Sequence, residues 1–336
     1  MPLYSIGDMA SSFMLRRQNV SMNAELAKLT EEMASGQAAD VSKHLNGNYS
    51  YLGDVERNLR LLEGFDTAAK EASSFTSAMQ SALEKVQQTT TTLSSDLILA
   101  GNTNLPQGME AASNNARGEL SAILSALNTN VAGRALFSGA STDTATFASA
   151  DDFLSHLRTE ISGLTSLHDI KTAIDAWFDT SGGGFETDGY LGATTDLSPF
   201  LVGEGETVTL ALRGDTQVIR DLLKSTAMAA LAADPALGYS TNLQSAMIVS
   251  AGESLITSQS ELVGVRADLG YAEARIEESK TRVSAEKTSF EISRNELLGV
   301  DLYDTATRLK AVQFQLESLY TATARLSGLS LVEYLR

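Results

Sequence analysis

Apolar residues recur at alternating steps of three and four along most of this chain, the pattern of helices that bury one face. The longest run passes from Leu62 through Ala69, Met79, Leu83 and Leu93 to Ala100 without a slip in frame. As one helix it would be roughly 58 Å long at about 1.5 Å per residue. Gly101 to Pro106 reads as a turn, and a second run follows from Met109 to Leu127, ending near Gly133. The return partner lies far downstream: Leu255, Leu262, Leu269, Ile276 and Val283 hold the same frame to Leu297, interrupted by the polar Ser258, Ser279, Glu286 and Ser293. Gly299 breaks that helix, and Asp301 or Asp304 can cap a last one from about Thr305 to Ser327 or Gly328.

Both ends carry a stripe of their own. Leu15, Met22, Leu26, Leu29 and Met33 fall on one face of an N-terminal helix, with Asn19 in the remaining seam position. Leu309, Val312, Leu316, Leu319 and Leu326 do the same near the C-terminus, with Thr323 completing the seam. Chain ends are ordinarily polar. An apolar stripe there must be covered, and the stripe at the other end, in the same subunit or a neighbour, is the natural partner.

Residues 139–240 break the pattern. They hold eleven of the 25 glycines, and Phe200–Val202 and Thr207–Leu212 have strand character, the second alternating. Residues 149–164, 169–178 and 216–233 read as helices. The expected fold class is therefore mainly α: a long discontinuous helical bundle or coiled coil built from N- and C-terminal segments, with a small mixed α/β insert. The expected segments are 1–45, an N-terminal assembly helix; 46–138, half of the bundle; 139–240, the insert; 241–300, the returning half; and 301–336, a C-terminal assembly helix.

Charge sharpens this division. The net charge is −17, of which 139–240 carries −10, while 1–50 carries −1 and 301–336 is neutral. Near-neutral ends tolerate dense packing of copies, and an acidic middle stays solvated. Nucleic acid would need a basic footprint that is missing. With no cysteine in the sequence, disulfides and thiolate metal sites are excluded. No run of 18 apolar residues exists, so no membrane insertion is expected. The first residues place Arg16 and Arg17 after the apolar ones and lack the apolar core of a secretory signal peptide.

Enzyme-like features are sparse. Asp179-Thr-Ser-Gly-Gly-Gly-Phe-Glu-Thr-Asp-Gly-Tyr190 has the glycines of a phosphate loop but no following lysine and no strand-to-helix context. Its Asp179, Glu186 and Asp188 lack the spacing of a calcium loop. A tight connection is the better reading. His168-Asp169 has no second histidine at metal-ligand spacing. Trp177, Phe178 and Ile174 read as the insert's core. The sequence therefore suggests no catalytic residue, metal or cofactor. A chemoreceptor-like coiled coil would share the periodicity but would also need a membrane span or a ligand domain at one end, and the sequence shows neither.

The ends and one internal segment carry a family resemblance. Ser5-Ile-Gly-Asp-Met-Ala, Phe13-Met-Leu-Arg-Arg-Gln-Asn and Met33-Ala-Ser-Gly-Gln-Ala-Ala-Asp40 resemble the N-terminal region of the flagellin superfamily. Residues 306–335 are similar to its C-terminal helix. Asn130-Val-Ala-Gly-Arg-Ala-Leu-Phe-Ser-Gly139 resembles a stretch of the hook-associated branch that joins flagellar hook to filament, with Ala135 where that branch has an aromatic residue. The resemblance implies a structural subunit of the bacterial flagellum, acting at that junction and located outside the cell. It implies export through the flagellar type III apparatus without a cleaved signal, after holding by a cytosolic chaperone. The implied partners are further copies of itself, packed head-to-tail, and neighbouring hook-associated protein and flagellin. The implied assembly residues are the ten stripe positions, Leu15 to Met33 and Leu309 to Leu326. A filament flagellin with a short insert is the alternative within the superfamily, and a muramidase-like or metal hydrolase housed in the insert is the alternative outside it.

Overall fold

The computed structural model describes the backbone of residues 6–334 and the side-chain surroundings of residues 9–325. Its helices are α1 (Ile6–Ser35), α2 (Val41–His44), α3 (Ser50–Thr103), α4 (Pro106–Leu127), α5 (Ala150–Ile161), α6 (Leu167–Asp179), α7 (Gln217–Ala232), α8 (Thr241–Leu298) and α9 (Leu302–Tyr334). Two hairpins, β1–β2 (Asn130–Val131 and Arg134–Ala135) and β3–β4 (Phe200–Gly203 and Glu206–Val208), complete the described secondary structure with a π-helical turn at Phe185–Gly189. The mainly helical class with a small mixed insert is what the periodicity predicted. None of the described helices is long and apolar enough to cross a membrane.

Two compact units result, residues 1–63 with 285–336, and residues 64–284. In the larger unit the heptad frames are buried as their spacing requires: Met79, Leu83, Val86, Leu93 and Leu97 of α3, and Leu255, Leu262, Leu269 and Ile276 of α8. Polar side chains clip the two helices together. Gln80 Nε2 donates to the Arg266 carbonyl at 2.8 Å, and Ser245 Oγ to the Gly101 carbonyl at 2.9 Å. Pro106 opens α4, where a missing N–H costs nothing. The alanines of α7 let it lie close on α4, and Ser113 Oγ seals the contact by donating to the Ala230 carbonyl at 3.0 Å.

Around α7, the insert closes over an aromatic core of Phe153, Trp177, Phe178 and Phe185, all buried. Ser149 and Ser166 cap α5 and α6 by accepting from the amides of Asp152 and Asp169. The glycine string explains itself here. A Cβ at Gly184 would fall 1.9 Å from the Trp177 indole nitrogen, so the backbone can wrap that ring only as glycine. The string is a tight packed connection.

The segment 130–139 folds as a two-residue hairpin whose central residues, Ala132 and Gly133, both have positive φ, the turn type that matches strand twist. Arg134 lies over the Phe75 ring, 5.1 Å from its centre, and pairs with Glu71. Gly139 combines φ +60° with a neighbour too close for a side chain: an added Cβ would sit 2.4 Å from the Thr195 carbonyl oxygen. Gly139→Ala is therefore expected to cost about 1–3 kcal/mol through the backbone alone, with the clash in addition. Urea unfolding of the purified chain measures it, and an unchanged midpoint would count against this account.

Three boundaries differ from the sequence expectation. The strand expected over 207–212 is paired only to Val208, because its partner begins at Phe200 and the preceding Pro199 has no N–H to continue the ladder. The last helix starts at Leu302, not near Thr305, since Asp301 Oδ1 accepts from the amides of Tyr303 and Asp304 at 2.8 and 3.2 Å. It runs to Tyr334, past Gly328; a lone glycine costs a helix only about 1 kcal/mol.

Candidate assembly surface

The smaller unit is held by a clasp that lets the two terminal helices lie side by side. α1 ends at Gly36, whose φ of +69° turns the chain, with its amide bonded to the Glu32 carbonyl at 2.9 Å. The next residues cross the α8–α9 junction as an antiparallel bridge, Gln37 opposite Gly299. Ala38 N–H donates to the Leu298 carbonyl at 2.8 Å, and Val300 N–H to the Gly36 carbonyl at 3.1 Å. Glu32 is buried beneath this crossing. Its carboxylate accepts from the Ala39 amide at 3.2 Å and lies 3.7 Å from the Lys28 ammonium. Asp40, capping α2, is held below the usual carboxylate range by the Lys43 amide.

From the clasp, α1 packs along α9. Leu29, Leu316 and Leu319 are buried. Leu15, Met22, Leu26, Leu309 and Val312 are half-buried, and Met33 is 41% exposed. The side chain of Leu326 lies outside the described residues. Asn19, in the seam, is half-buried, and its Oδ1 accepts from Asn23 Nδ2 at 2.8 Å. The two stripes read from the sequence thus spend most of their apolar surface within one subunit.

Other apolar side chains are left open. Met9, Phe13, Met14 and Val20 on α1, and Tyr303, Phe314 and Tyr320 on α9, are each more than half exposed; Phe13 reaches 67% and Phe314 70%. In the sequence they are overshadowed by the leucine-rich stripe of each helix. A signal was present: Met9, Phe13, Val20 and Ala27 repeat at helical spacing on the side of α1 opposite Leu15 and Met22. Arg16 and Arg17 are exposed. Large apolar side chains left exposed on a folded unit are the kind of surface that elsewhere marks an interaction site.

This arrangement joins what known proteins show. Residues 6–142 match the bacterial flagellin N-terminal helical region, and residues 253–335 match the bacterial flagellin C-terminal helical region. The chain belongs to the flagellin family. The two matched regions hold the whole of α1 and of α9, with the long helix α3 and most of α8. Among solved structures, a protein of Vibrio parahaemolyticus provisionally assigned as a flagellar hook-associated protein shares the fold. Its TM-score is 0.53 at 14% identity, over 75% of this chain and 99% of that one. No curated protein sequence matches the chain. As a flagellin-family member the protein is a structural component of the flagellum, self-assembling and not an enzyme.

Proposed function

We propose that this flagellin-family protein is the junction subunit between flagellar hook and filament. The hairpin at Asn130–Gly139 carries this reading, because it resembles the hook-associated branch; the fold shared with the Vibrio protein supports it. Residues 1–45 and 301–336 act as the assembly segments. The ten stripe positions, Leu15, Met22, Leu26, Leu29, Met33, Leu309, Val312, Leu316, Leu319 and Leu326, build the paired-helix unit that packs against neighbours. Its open apolar face supplies further contact area. Contacts run head-to-tail, since a two-fold contact would close a dimer and not build a tube. Each large apolar side chain covered contributes about 1.5–3 kcal/mol before ordering entropy is deducted, and neighbours that bind only the folded ends draw folding along with assembly. The neighbours are hook-associated protein on one side and flagellin on the other. A cytosolic chaperone holds the chain before export through the type III apparatus, with no cleaved signal.

Electron microscopy of a deletion strain tests the assignment. Hooks without filaments, with flagellin released into the medium, are expected. Loss of one filament type with others intact would make the protein a filament flagellin instead. A second test addresses the open face. Phe13→Ser with Phe314→Ser is expected to lower incorporation severalfold while leaving the melting temperature of the free subunit nearly unchanged, because exposed positions contribute little to folding. Full incorporation of this variant would show the face to be idle.

A further inference from the structure

In the larger unit, the chain beyond β4 keeps a strand's alternation of exposed and buried residues without a strand's partner. Residues 209–212, Thr-Leu-Ala-Leu, follow the alternation of a half-buried strand: Thr209 and Ala211 are exposed, Leu210 is buried and Leu212 half-buried. None of their backbone N–H or C=O groups has a partner in the protein among the described residues. Buried or half-buried backbone is seldom left so. The same stretch of chain is treated differently one step earlier. There Arg275 Nη2 donates to the Thr207 carbonyl at 3.3 Å, and Ser279 Oγ to the Val202 carbonyl at 2.6 Å. Helix α8 therefore caps the hairpin with polar side chains at 275 and 279. Along its next turns it presents Ala272, Leu269 and Val265, which have nothing to donate. Between these residues and the 209–212 backbone runs a mostly apolar groove of about 290 Å³.

We propose that this edge and groove take up an extended peptide segment of a partner protein by strand addition. Unpaired amides and carbonyls that continue directly from a paired strand are a template for such a strand. The groove has room for two or three side chains of alternate residues, which sets an apolar preference at those positions. Asp268 lines the same groove, exposed and without an ion-pair or hydrogen-bond partner among the described residues. It selects a lysine or arginine in the incoming strand. The occupant is thus an extended, apolar-alternating peptide with one basic residue.

The experiment uses the full chain and an acetylated octapeptide alternating valine and threonine with one central lysine. Saturable binding by calorimetry is expected, together with slowed amide exchange confined to the segment around 209–213. N-methylation of alternate peptide amides is expected to abolish binding, and Asp268→Lys and Ala211→Pro to weaken it about tenfold, the equivalent of 1.4 kcal/mol. The methylated peptide keeps the test decisive even if Ala211→Pro fails to fold. Equal binding of the methylated peptide, protection elsewhere, or no binding at millimolar peptide would overturn the proposal. Concentration-dependent self-association lost in Asp268→Lys, without peptide binding, would assign the groove to a second copy and overturn it as well.

Discussion

Leu316→Asp combined with Leu319→Asp is expected to abolish incorporation into the flagellum. These are two of the most buried side chains of α9, 6% and 9% exposed against α1. Each replacement forfeits about 1.5–3 kcal/mol of apolar burial and puts a carboxylate where a buried leucine stood, a further desolvation cost. Beyond the clasp, the α1–α9 pairing is what holds these two helices, since an isolated helix of this length is marginal. The larger unit, residues 64–284, has its own core and should keep its thermal transition. Calorimetry on the purified variant reads the second half of this expectation, and immunogold microscopy of flagella the first. Normal assembly would show that the α1–α9 pairing is not needed in the finished structure.

Asp234→Ala is expected to produce the largest loss of stability within residues 64–284. Asp234 Oδ2 accepts from Arg158 Nη2 at 2.6 Å and Nε at 2.9 Å, and from Arg117 Nη2 at 3.2 Å. Its Oδ1 accepts from the Ala236 amide at 3.0 Å. The side chain is 5% exposed, and it ties α4 and α5 to the end of α7. Removing one partner of a buried ionic cluster costs about 3–5 kcal/mol, a fall in melting temperature of roughly 10 °C for a unit of this size. The pH dependence has a definite sign. Burial alone would raise the Asp234 pKa, but the Ala236 amide, Arg158 and Arg117 outweigh it and hold the carboxyl below its ordinary value of 3.8. A group held low in the folded state stabilises fully above its unfolded pKa and loses that contribution as the pH falls through the folded value. Wild-type protein should therefore lose stability below about pH 4, and the variant should lose less over the same range. Parallel pH profiles of melting temperature for the two would contradict the assignment.

The long helices were legible because a heptad frame kept for forty residues has only one way to bury its apolar members. The insert's aromatic core was legible in kind, since Trp177, Phe178 and Ile174 cluster at helical spacing. The turn at Ala132–Gly133 was not, because an alanine with positive φ gives no local sign of itself; the hairpin around it is anchored by the distant contact of Arg134 with Phe75 of α3. The open face of α1 and α9 was not either. Periodicity marks which positions share a face, not which face another segment covers, and the stripe with more leucines drew the prediction.

The sequence by itself determined the helical class, the division of the chain by charge and glycine, and the family, because periodicity, charge and motif are carried by neighbours along the chain. Tertiary structure decided which apolar stripe is spent inside the subunit and which stays open. It decided that the strand pattern at 209–212 ends without a partner, and that Asp234 gathers two distant arginines. Those outcomes rest on contacts between residues far apart in sequence, whose geometry no local pattern encodes.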